Sequence, residues 1–263
     1  MTQLMFETFS VPQFQIANQA VLSLFATGRA SGIVVESGAS ATSIVPVDDG
    51  NRVSSAILHS SITGRDLTTY LLGMLTKVDK VFEADDLKEP CSSNAKKRTI
   101  AQDIKQKLCF VAADFAATAK STDIEKQYQL PDGKNLLLSN VLYQCPEPLF
   151  QPHLLGKQEL GIHKLLCSSI EKCDPYICKV LYDNVVLGGG NTMFRGLDER
   201  LKNEVVSLAS PNTLIKIVAA TDRQFSAWKG ASILCCLSIF NDMWILSKEY
   251  TDIGSSIIHR KRT

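Results

Sequence analysis

Three consecutive glycines at residues 188–190 separate two apolar segments of different period. Residues 185–187 are Val-Val-Leu, which predicts a short buried strand. Residues 193–207 carry apolar side chains at helical spacing, and Asn191 and Thr192 are suited to cap that predicted helix. A ligand can approach a glycine backbone closely, and helix N-termini attract phosphate groups. The turn is therefore a candidate nucleotide site, although an isolated turn of this type more often serves packing alone.

A second glycine turn, with a carboxylate beside it, lies within residues 32–47. Residues 33–35 predict a strand that ends at Glu36. After Ser37 and Gly38, a returning strand is predicted over residues 41–47. The backbone N–H groups of such a hairpin turn can bind phosphate, and the Glu36 carboxylate can face either a cation or solvent. Two such turns, far apart in the sequence, suggest two halves that face one cleft.

Composition argues against several other classes of function. The 263 residues include 28 Lys plus Arg and 27 Asp plus Glu, a balance that does not favour nucleic acid or a membrane surface as partner. No apolar run reaches membrane-spanning length, and the first residues do not resemble a secretory signal. The eight cysteines form no C-x-x-C pair, which favours reduced thiols in the cytosol or nucleus. Cys109, Cys235 and Cys236 lie in apolar helical patterns and are predicted core residues.

The remaining sequence predicts alternating strands and helices, the pattern of an α/β protein. Predicted strands occupy residues 11–16, 33–35, 41–47, 52–59, 128–130, 135–138, 185–187 and 214–218. Predicted helices occupy residues 18–26, 67–77, 99–112, 161–170, 175–182, 193–207, 225–240 and 241–248. Residues 78–97 and 113–126 lack periodicity, so we expect surface segments there, the first of them an insertion.

A series of further motifs occurs in the order found in one known family. They are Met-Thr-Gln-Leu-Met-Phe-Glu-Thr-Phe at residues 1–9, Asn-Gln-Ala-Val-Leu-Ser-Leu at 18–24, Gly-Arg-Asp-Leu-Thr at 64–68, Asp-Ile-Lys-Gln-Lys-Leu-Cys at 103–109, Leu-Pro-Asp-Gly at 130–133, Phe-Gln-Pro at 150–152 and Ser-Ile-Ile-His-Arg-Lys at 256–261. The chain resembles the actin family over residues 1–263. Substitutions inside the motifs indicate a divergent actin-like or actin-related protein.

The resemblance implies an actin-like (ribonuclease H-like) α/β fold around a nucleotide cleft. Because it begins well inside the family's sequence, we expect the family's N-terminal third, with its first phosphate loop, to be absent. One complete α/β domain is then expected at residues 28–220, with an insertion at about residues 78–97. Residues 1–27 and 221–263 would be the remnant of a second, truncated α/β domain.

The resemblance also implies roles for individual residues in the cleft. Gln19 matches the residue that positions the attacking water, and Glu36 matches the acid that holds Mg²⁺ through its hydration shell. Ser37 and Gly38 would form a phosphate turn. The other nucleotide-binding positions implied by the family are Gly64, Lys105, Gln106, Gly189, Gly190, Met193, Phe194 and Gln224.

Several departures from the family pattern weaken this implied site. Ala39 replaces a second aspartate, and Ser43 replaces a histidine close to the hydrolytic water. Gln106 and Gln224 replace an acid and a lysine at the nucleoside end. Each lost charge-assisted contact costs about 1.5–3 kcal/mol, and water activation requires positioned acid–base groups. We therefore expect ATP or ADP with Mg²⁺ to bind weakly or not at all, with little or no hydrolysis.

A partner surface is implied as well. Five residues match the family's hydrophobic groove, where amphipathic helices dock, although ordinary core is the alternative. They are Phe25, Gly28, Leu234, Leu237 and Met243. An unpaired strand at residues 11–16 and a bare apolar face at residues 225–240 would favour aggregation or capture. We therefore expect the isolated chain to be poorly soluble or to need a companion.

Three functions are compatible with these observations. The first is a non-enzymatic actin-like cytoskeletal protein in the cytoplasm. The second is an active ATPase or kinase of the same superfamily, which Ala39 disfavours. The third is an interaction module in a cytoskeletal or chromatin complex, which would allow a nuclear location. Expected partners are actin or actin-binding proteins, with neither nucleic acid nor a membrane among them.

Overall fold

A computed structural model describes residues 1–78, 92–120 and 124–259 of the chain. The strands are β1 (Gln13–Phe14), β2 (Gly32–Ser37), β3 (Thr42–Asp48), β4 (Asn51–Arg52), β5 (Leu58–Ser60), β6 (Lys126–Gln129), β7 (Asn135–Leu138), β8 (Val185–Gly188), β9 (Ile217–Val218) and β10 (Ile245–Leu246). The helices are α1 (Gln19–Phe25), α2 (Gly64–Val78), α3 (Ser92–Lys107), α4 (Phe115–Thr118), α5 (Val141–Gln144), α6 (Ile162–Glu171), α7 (Pro175–Asp183), α8 (Leu197–Leu208), α9 (Ser226–Cys235) and α10 (Ser247–Ile253).

Six of these strands form one mixed sheet in the order β4-β3-β2-β8-β9, with β5 also paired to β3. β2 and β3 form the predicted antiparallel hairpin. β2 also runs parallel to β8, with Glu36 opposite Gly188. Because parallel neighbours end at the same edge of a sheet, the two glycine turns predicted from the sequence are adjacent in the fold.

Helices cover both faces of this sheet. On one face, Ile33, Val35 and Ile44 join the main core with buried side chains of α2, α3, α6 and α8. On the other face, Val34 and Val45 pack beneath α1, and α9 packs across α1 in turn. Burial of both faces explains why β2 is an uninterrupted buried strand. The predicted α/β class is confirmed by this architecture.

Residues near the two ends of the chain meet in a third, smaller core. Phe6, Ile245 and Ile257 are buried together there. The strand predicted over residues 11–16 is reduced to β1, and it is not an unpaired edge, because β10 pairs with it. The proposed division into residues 1–27 with 221–263 and residues 28–220 stays a prediction.

The helix predicted over residues 193–207 begins later, at Leu197. Gly196 has a φ of 82°, a left-handed conformation that interrupts a right-handed helix, and Gly190–Thr192 forms a 3-10 turn before it. Asn191 therefore does not cap α8, and its amide nitrogen donates to Ser37 instead. Helical spacing of apolar residues does not detect such a break.

Other predicted boundaries also fail where short turns intervene. A 3-10 turn at Ser54–Ala56 divides the strand predicted over residues 52–59 into β4 and β5. The helix predicted over residues 225–240 ends at Cys235, and residues 241–248 include β10 instead of being wholly helical. The strand predicted over residues 214–218 is reduced to β9. Cys109 is buried as predicted, but Cys235 and Cys236 are exposed.

The two segments without periodicity contain some regular structure. Helix α3 begins at Ser92, within the predicted insertion at residues 78–97, and it ends at Lys107, before residue 112. Residues 79–91 of that insertion lie outside the described residues. α4 and the start of β6 lie within residues 113–126. In the described ranges, no helix combines the length and the apolar character that crossing a membrane requires.

Candidate functional site

The candidate site lies where β2 and β8 end. The hairpin turn after β2 is closed by a 2.8 Å hydrogen bond from the Gly38 N–H to the Ala41 carbonyl. The N–H of Gly64, the first residue of α2, donates to the Gly38 carbonyl at 2.9 Å. Gly189 fits tightly beside this turn, since its φ is 84° and an added Cβ would collide with the Ser37 carbonyl. The backbone of the two turns and of α2 is thus held as one unit.

A cavity of about 340 Å³ opens on the α3 side of this unit. We call it the carboxamide cavity because four uncharged amide side chains, Gln102, Gln106, Asn191 and Gln224, face it. The remaining lining residues are Ala39, Gly64, Lys105, Gly190, Met193 and Phe194. Seven of the residues that the sequence assigned to nucleotide binding therefore meet in one place: Gly64, Lys105, Gln106, Gly190, Met193, Phe194 and Gln224. Gly189 does not line the cavity.

Asn191, which the sequence placed in the glycine turn as a possible helix cap, also lines the cavity. Its Nδ2 donates to Ser37 Oγ at 3.0 Å, which fixes the orientation of the amide. Its Oδ1 is buried and has no hydrogen-bond partner among the described residues. A buried acceptor without a donor is costly, so a ligand donor at this point would be stabilising. Gln102 is a lining residue that the sequence analysis missed, although it lies three residues before Lys105 on α3.

Lys105 contributes a cation that is already bound by the protein. Its ammonium donates to the Gly64 carbonyl at 2.7 Å and to Thr68 Oγ1 at 3.0 Å. Burial lowers the pKa of the Lys105 ammonium below its ordinary value. The residue therefore anchors α3 to the first turn of α2, and its contribution to a ligand is reduced by those contacts.

A second cavity, of about 410 Å³, opens on the α1 side of the hairpin turn, and we call it the hairpin cavity. Gln19, Glu36 and Gly38 from the sequence prediction line it, and Ala39 is shared with the carboxamide cavity. Its other lining residues are Asn18, Ala20, Ser40, Ala41, Ser43, Val45, Arg52, Ile57 and His59. Ser37 lies in neither lining, since its hydroxyl is buried against Thr42 Oγ1 at 2.7 Å.

Glu36 is buried at the inner wall of the hairpin cavity. Gln19 Nε2 donates to its Oε1 at 2.7 Å, and Ser23 Oγ donates to its Oε2 at 2.9 Å. Burial raises the pKa of the Glu36 carboxyl, and the hydrogen bonds from Ser23 and Gln19 oppose that rise. Both carboxylate oxygens are thus engaged by α1, and the amide of Gln19 is directed at Glu36.

The polar groups of the carboxamide cavity are of the kinds that can bond a nucleoside. The unpartnered Asn191 oxygen and the open space at Gly190 suit a polar ring system in the carboxamide cavity. Within the described ranges, no group of three or more His, Cys, Asp or Glu side chains converges to hold a metal ion. Glu36 would hold Mg²⁺ through water, as Mg²⁺ commonly allows. The catalytic and binding roles of all these residues stay predictions.

The predicted partner groove is largely gathered in one place. Phe25, Gly28, Leu234 and Leu237 line an apolar groove of about 260 Å³ between α1 and α9, together with Arg29, Ala30 and Ile233. Leu234 is buried, whereas Leu237 is 48% exposed. Met243 does not line this groove, because the chain leaves the helical path after Cys235.

The parallel strands β2 and β8 end side by side, and two polar cavities of ligand size open at that edge of the mixed sheet. This arrangement is that of an α/β protein with a binding cleft at the carboxyl ends of its strands. Comparison with models of known families then gives the family. The Actin model matches residues 1–263, the whole chain. The chain belongs to the actin family, whose members generally bind ATP or ADP with Mg²⁺ and are generally cytoskeletal.

Proposed function

We propose that this chain is an actin-like cytoskeletal protein with a degenerate adenine-nucleotide cleft, located in the cytoplasm. It binds ATP or ADP weakly or not at all and hydrolyses little or none. The observation that carries the proposal is the lining of the carboxamide cavity, where four uncharged amides face the space and the Lys105 ammonium already has two protein acceptors.

Among the described residues, the one cation that lines the carboxamide cavity, Lys105, already donates to two protein acceptors, so little charge-assisted bonding is left there for phosphate groups. Ala39, at the junction of the two cavities, offers no side-chain donor or carboxylate. When a triphosphate leaves water, each missing charge-assisted hydrogen bond reduces the binding free energy by about 1.5–3 kcal/mol. The uncharged amides can still bond the edges of a base or the hydroxyls of a ribose. Affinity would then come from the nucleoside and hardly at all from the phosphates.

Water activation is also poorly supported. The Gln19 amide donates to Glu36, and the Glu36 carboxylate accepts bonds on both oxygens, so neither is free to order a nucleophile without rearrangement. Ser43 supplies a hydroxyl where an acid or imidazole would be needed for proton transfer. These contacts favour a structural protein over a slow ATPase.

Isothermal titration tests this proposal with Mg-ATP and adenosine as paired ligands. We expect the dissociation constant for Mg-ATP to be larger than about 1 μM, which corresponds to a binding free energy smaller in magnitude than about 8 kcal/mol. Adenosine should bind with a similar dissociation constant. Gln106→Glu tests whether adenosine binds in the carboxamide cavity. A charged acceptor there should strengthen adenosine binding by about 10-fold. Gln127→Glu, on the exposed face of β6, is the matched control. Tight Mg-ATP binding with steady phosphate release would refute the proposal.

A second candidate is an interaction module in a multiprotein complex, cytoskeletal or chromatin-associated. It is favoured by the groove between α1 and α9, where Ile233 and Leu237 are nearly half exposed beside Phe25. Amphipathic helices of actin-binding proteins are the expected partners. Co-sedimentation with actin filaments supports the cytoskeletal function, while a stoichiometric partner recovered from a complex supports the interaction module.

A further inference from the structure

The corner between α6 and α7 brings two cysteines together. α6 ends at Glu171, and α7 begins at Pro175. Cys173 lies in the short connection, and Cys178 lies in the first turn of α7. With Asp174 as the N-cap, Cys173 occupies the position before the cap and Cys178 the fourth helical position. Apolar side chains at these two positions often pack against each other, and a free cysteine behaves as a small apolar residue. The local sequence therefore favours contact between the two side chains.

The hydrogen bonds of both thiols point to the last turn of α6. Cys173 Sγ donates to the Ser169 carbonyl at 3.3 Å. Cys178 Sγ donates to the next carbonyl, that of Ile170, at 3.5 Å, and it lies 4.0 Å from the Cys173 carbonyl oxygen. Because a carbonyl oxygen is about 2.4 Å from the Cα of its own residue, Cys178 Sγ is at most about 6.4 Å from Cys173 Cα. The two sulfurs thus bind adjacent acceptors, and bringing them into bonding contact takes side-chain rotation and a local adjustment of the connection.

The two thiols differ in their exposure to solvent. Cys173 is buried, with 7% of its surface exposed, whereas Cys178 is half-buried. Burial raises the pKa of the Cys173 thiol to about 11, and the nearby Cys178 contributes to that rise. Cys173 is therefore a neutral thiol that is shielded from an oxidant in solution, and Cys178 is the accessible sulfur.

The other cysteines of the described ranges are less suited to pair with Cys178. Cys167 of α6 is hydrogen-bonded to the Tyr182 hydroxyl of α7, which occupies its sulfur. The remaining described cysteines belong to other parts of the fold: Cys109, Cys145, Cys235 and Cys236. Cys173 is therefore the expected partner of Cys178.

We propose that Cys173 and Cys178 are a reversible redox pair, a modification site that hydroperoxides oxidise to an intramolecular disulfide. The Cys178 sulfur attacks hydrogen peroxide, so that an S–O bond forms, the O–O bond breaks and one water leaves with the thiol proton. The Cys173 sulfur then attacks the sulfenic acid of Cys178. An S–S bond forms, the S–O bond breaks, and the hydroxyl group leaves with the Cys173 proton as a second water.

The electrons of this reaction balance, since two thiols lose two electrons and one peroxide gains them. A dithiol reductant reverses the oxidation by thiol–disulfide exchange. Neither cysteine lines the carboxamide cavity or the hairpin cavity, so the site does not depend on nucleotide binding.

Peptide mapping of the intact, folded chain tests this assignment. Both cysteines fall in one tryptic peptide, residues 173–179, because trypsin cleaves after Lys172 and Lys179. The chain is treated with hydrogen peroxide, the peroxide is removed with catalase, and free thiols are alkylated in denaturant before digestion. The peptide should then carry no alkyl group and be lighter than the dithiol peptide by two hydrogen atoms. Dithiothreitol before alkylation should restore the doubly alkylated peptide.

Three variants assign the role of each sulfur. In Cys173→Ser, the sulfenic acid of Cys178 lacks its partner, so a 1,3-diketone probe should trap it at Cys178. In Cys178→Ser, Cys173 should remain a free thiol after peroxide, because it is buried. Cys236→Ser removes an exposed cysteine at the end of α9, and this matched control should form the disulfide like the wild type.

Several results would overturn the assignment. A bridge between Cys167 and Cys178 would join residues 165–172 to residues 173–179 as two linked peptides. Oxidation of Cys178 beyond the sulfenic acid, with Cys173 left as a free thiol, would show that the two sulfurs do not meet. Full alkylation of both cysteines after peroxide treatment would show that the site is not oxidised. The decisive measurement uses the wild-type chain, so a variant that fails to fold leaves the test intact.

Discussion

Burial shifts the pKa values of three ionisable side chains in and behind the cleft. It raises the pKa of the Glu36 carboxyl and lowers the pKa values of the Lys105 ammonium and the His163 imidazole. In each case removal from water disfavours the charged form, and hydrogen bonds or neighbouring charges modify the shift. The two cleft residues, Glu36 and Lys105, are both engaged by hydrogen bonds inside the protein.

His163 on α6 is the clearest case, because it lies outside the cleft and has a purely structural environment. Its Nδ1 is buried and has no hydrogen-bond partner among the described residues, and its ring packs against Phe150 at 5.7 Å between centroids. The nearby charges are Glu204, which favours protonation, and Lys164 and Arg200, which oppose it. The folded protein therefore disfavours the protonated form of this imidazole.

His163 should make the protein less stable as pH falls. The folded pKa is below the unfolded value of about 6.5, so the unfolded chain takes up the proton first and stability decreases from about pH 6.5 downward. Urea unfolding at a series of pH values between about 7.5 and 5.5 measures this slope. His163→Gln should flatten it, since the titrating group is removed.

His153→Gln provides the matched control for this experiment, because His153 is exposed in the turn before α6. That variant should keep the wild-type pH slope. An unchanged slope in His163→Gln, with normal folding, would show that the imidazole is not held neutral in the native state.

At the scale of elements, the crossing of α1 and α9 fixes how the end of the chain packs on the sheet. Gly230 lies in the middle of α9 and is buried, and a Cβ there would overlap the Leu22 carbonyl of α1. Backbone therefore meets backbone at this crossing, and no side chain can be accommodated without moving a helix. Gly73 on α2 is the opposite case, since a Cβ there would meet nothing within 4 Å.

The same substitution should thus have opposite effects at these two glycines. Gly230→Ala should destabilise the protein by about 2 kcal/mol or more, because α1 and α9 must separate. Gly73→Ala should stabilise it by about 0.5–1 kcal/mol, because alanine favours a helix over glycine. Equilibrium unfolding in urea gives both values. Equal effects at the two positions would contradict the close approach at Gly230.

Sequence patterns predicted those strands and helices whose apolar periodicity is local and unbroken. The hairpin strands β2 and β3 and the helices α2, α6 and α7 were predicted because their periodicity is uninterrupted. The failures lie where backbone conformation breaks a good apolar pattern, as at Gly196 before α8. Likewise, nothing local indicates that Arg52 belongs to a short strand separated from β5 by a turn.

In the candidate site, too, some residues could be predicted from local sequence and others could not. Motif matching found most of the carboxamide cavity, because those residues lie in or beside recognisable sequence motifs. Gln102 was missed, since its position depends on the orientation of α3. The hydrogen bond from Asn191 to Ser37 was not predicted either, since it depends on the 3-10 turn after β8. Arg52 and His59 of the hairpin cavity were missed because pairing with β3 places them there.

At the scale of the whole molecule, α9 leaves an apolar face without cover in the described structure. It buries Ser226, Gly230 and Leu234 against α1. Trp228 on the same helix is 74% exposed, and Phe225 just before it is 54% exposed. Exposed aromatic area of this kind favours association, whether with a second copy or with another protein.

The expectation of a companion now depends on this face, because the strand edge at residues 11–16 is paired in the structure. We predict that the purified chain self-associates as its concentration rises. Trp228→Ser should weaken this association by about 10-fold or more, because burial of a large aromatic side chain contributes about 1.5–3 kcal/mol. Tyr176→Ser on α7 is the control, because Tyr176 is equally exposed at 74% but lies on another helix. Sedimentation velocity over a concentration series gives the masses. Because the chain also contains Trp244, shielding of tryptophan fluorescence from a soluble quencher is measured in a Trp244→Phe background, where it reports burial of Trp228. A chain that stays monomeric at every concentration, with the Trp228 fluorescence fully quenched, would show that the exposed face of α9 needs no partner.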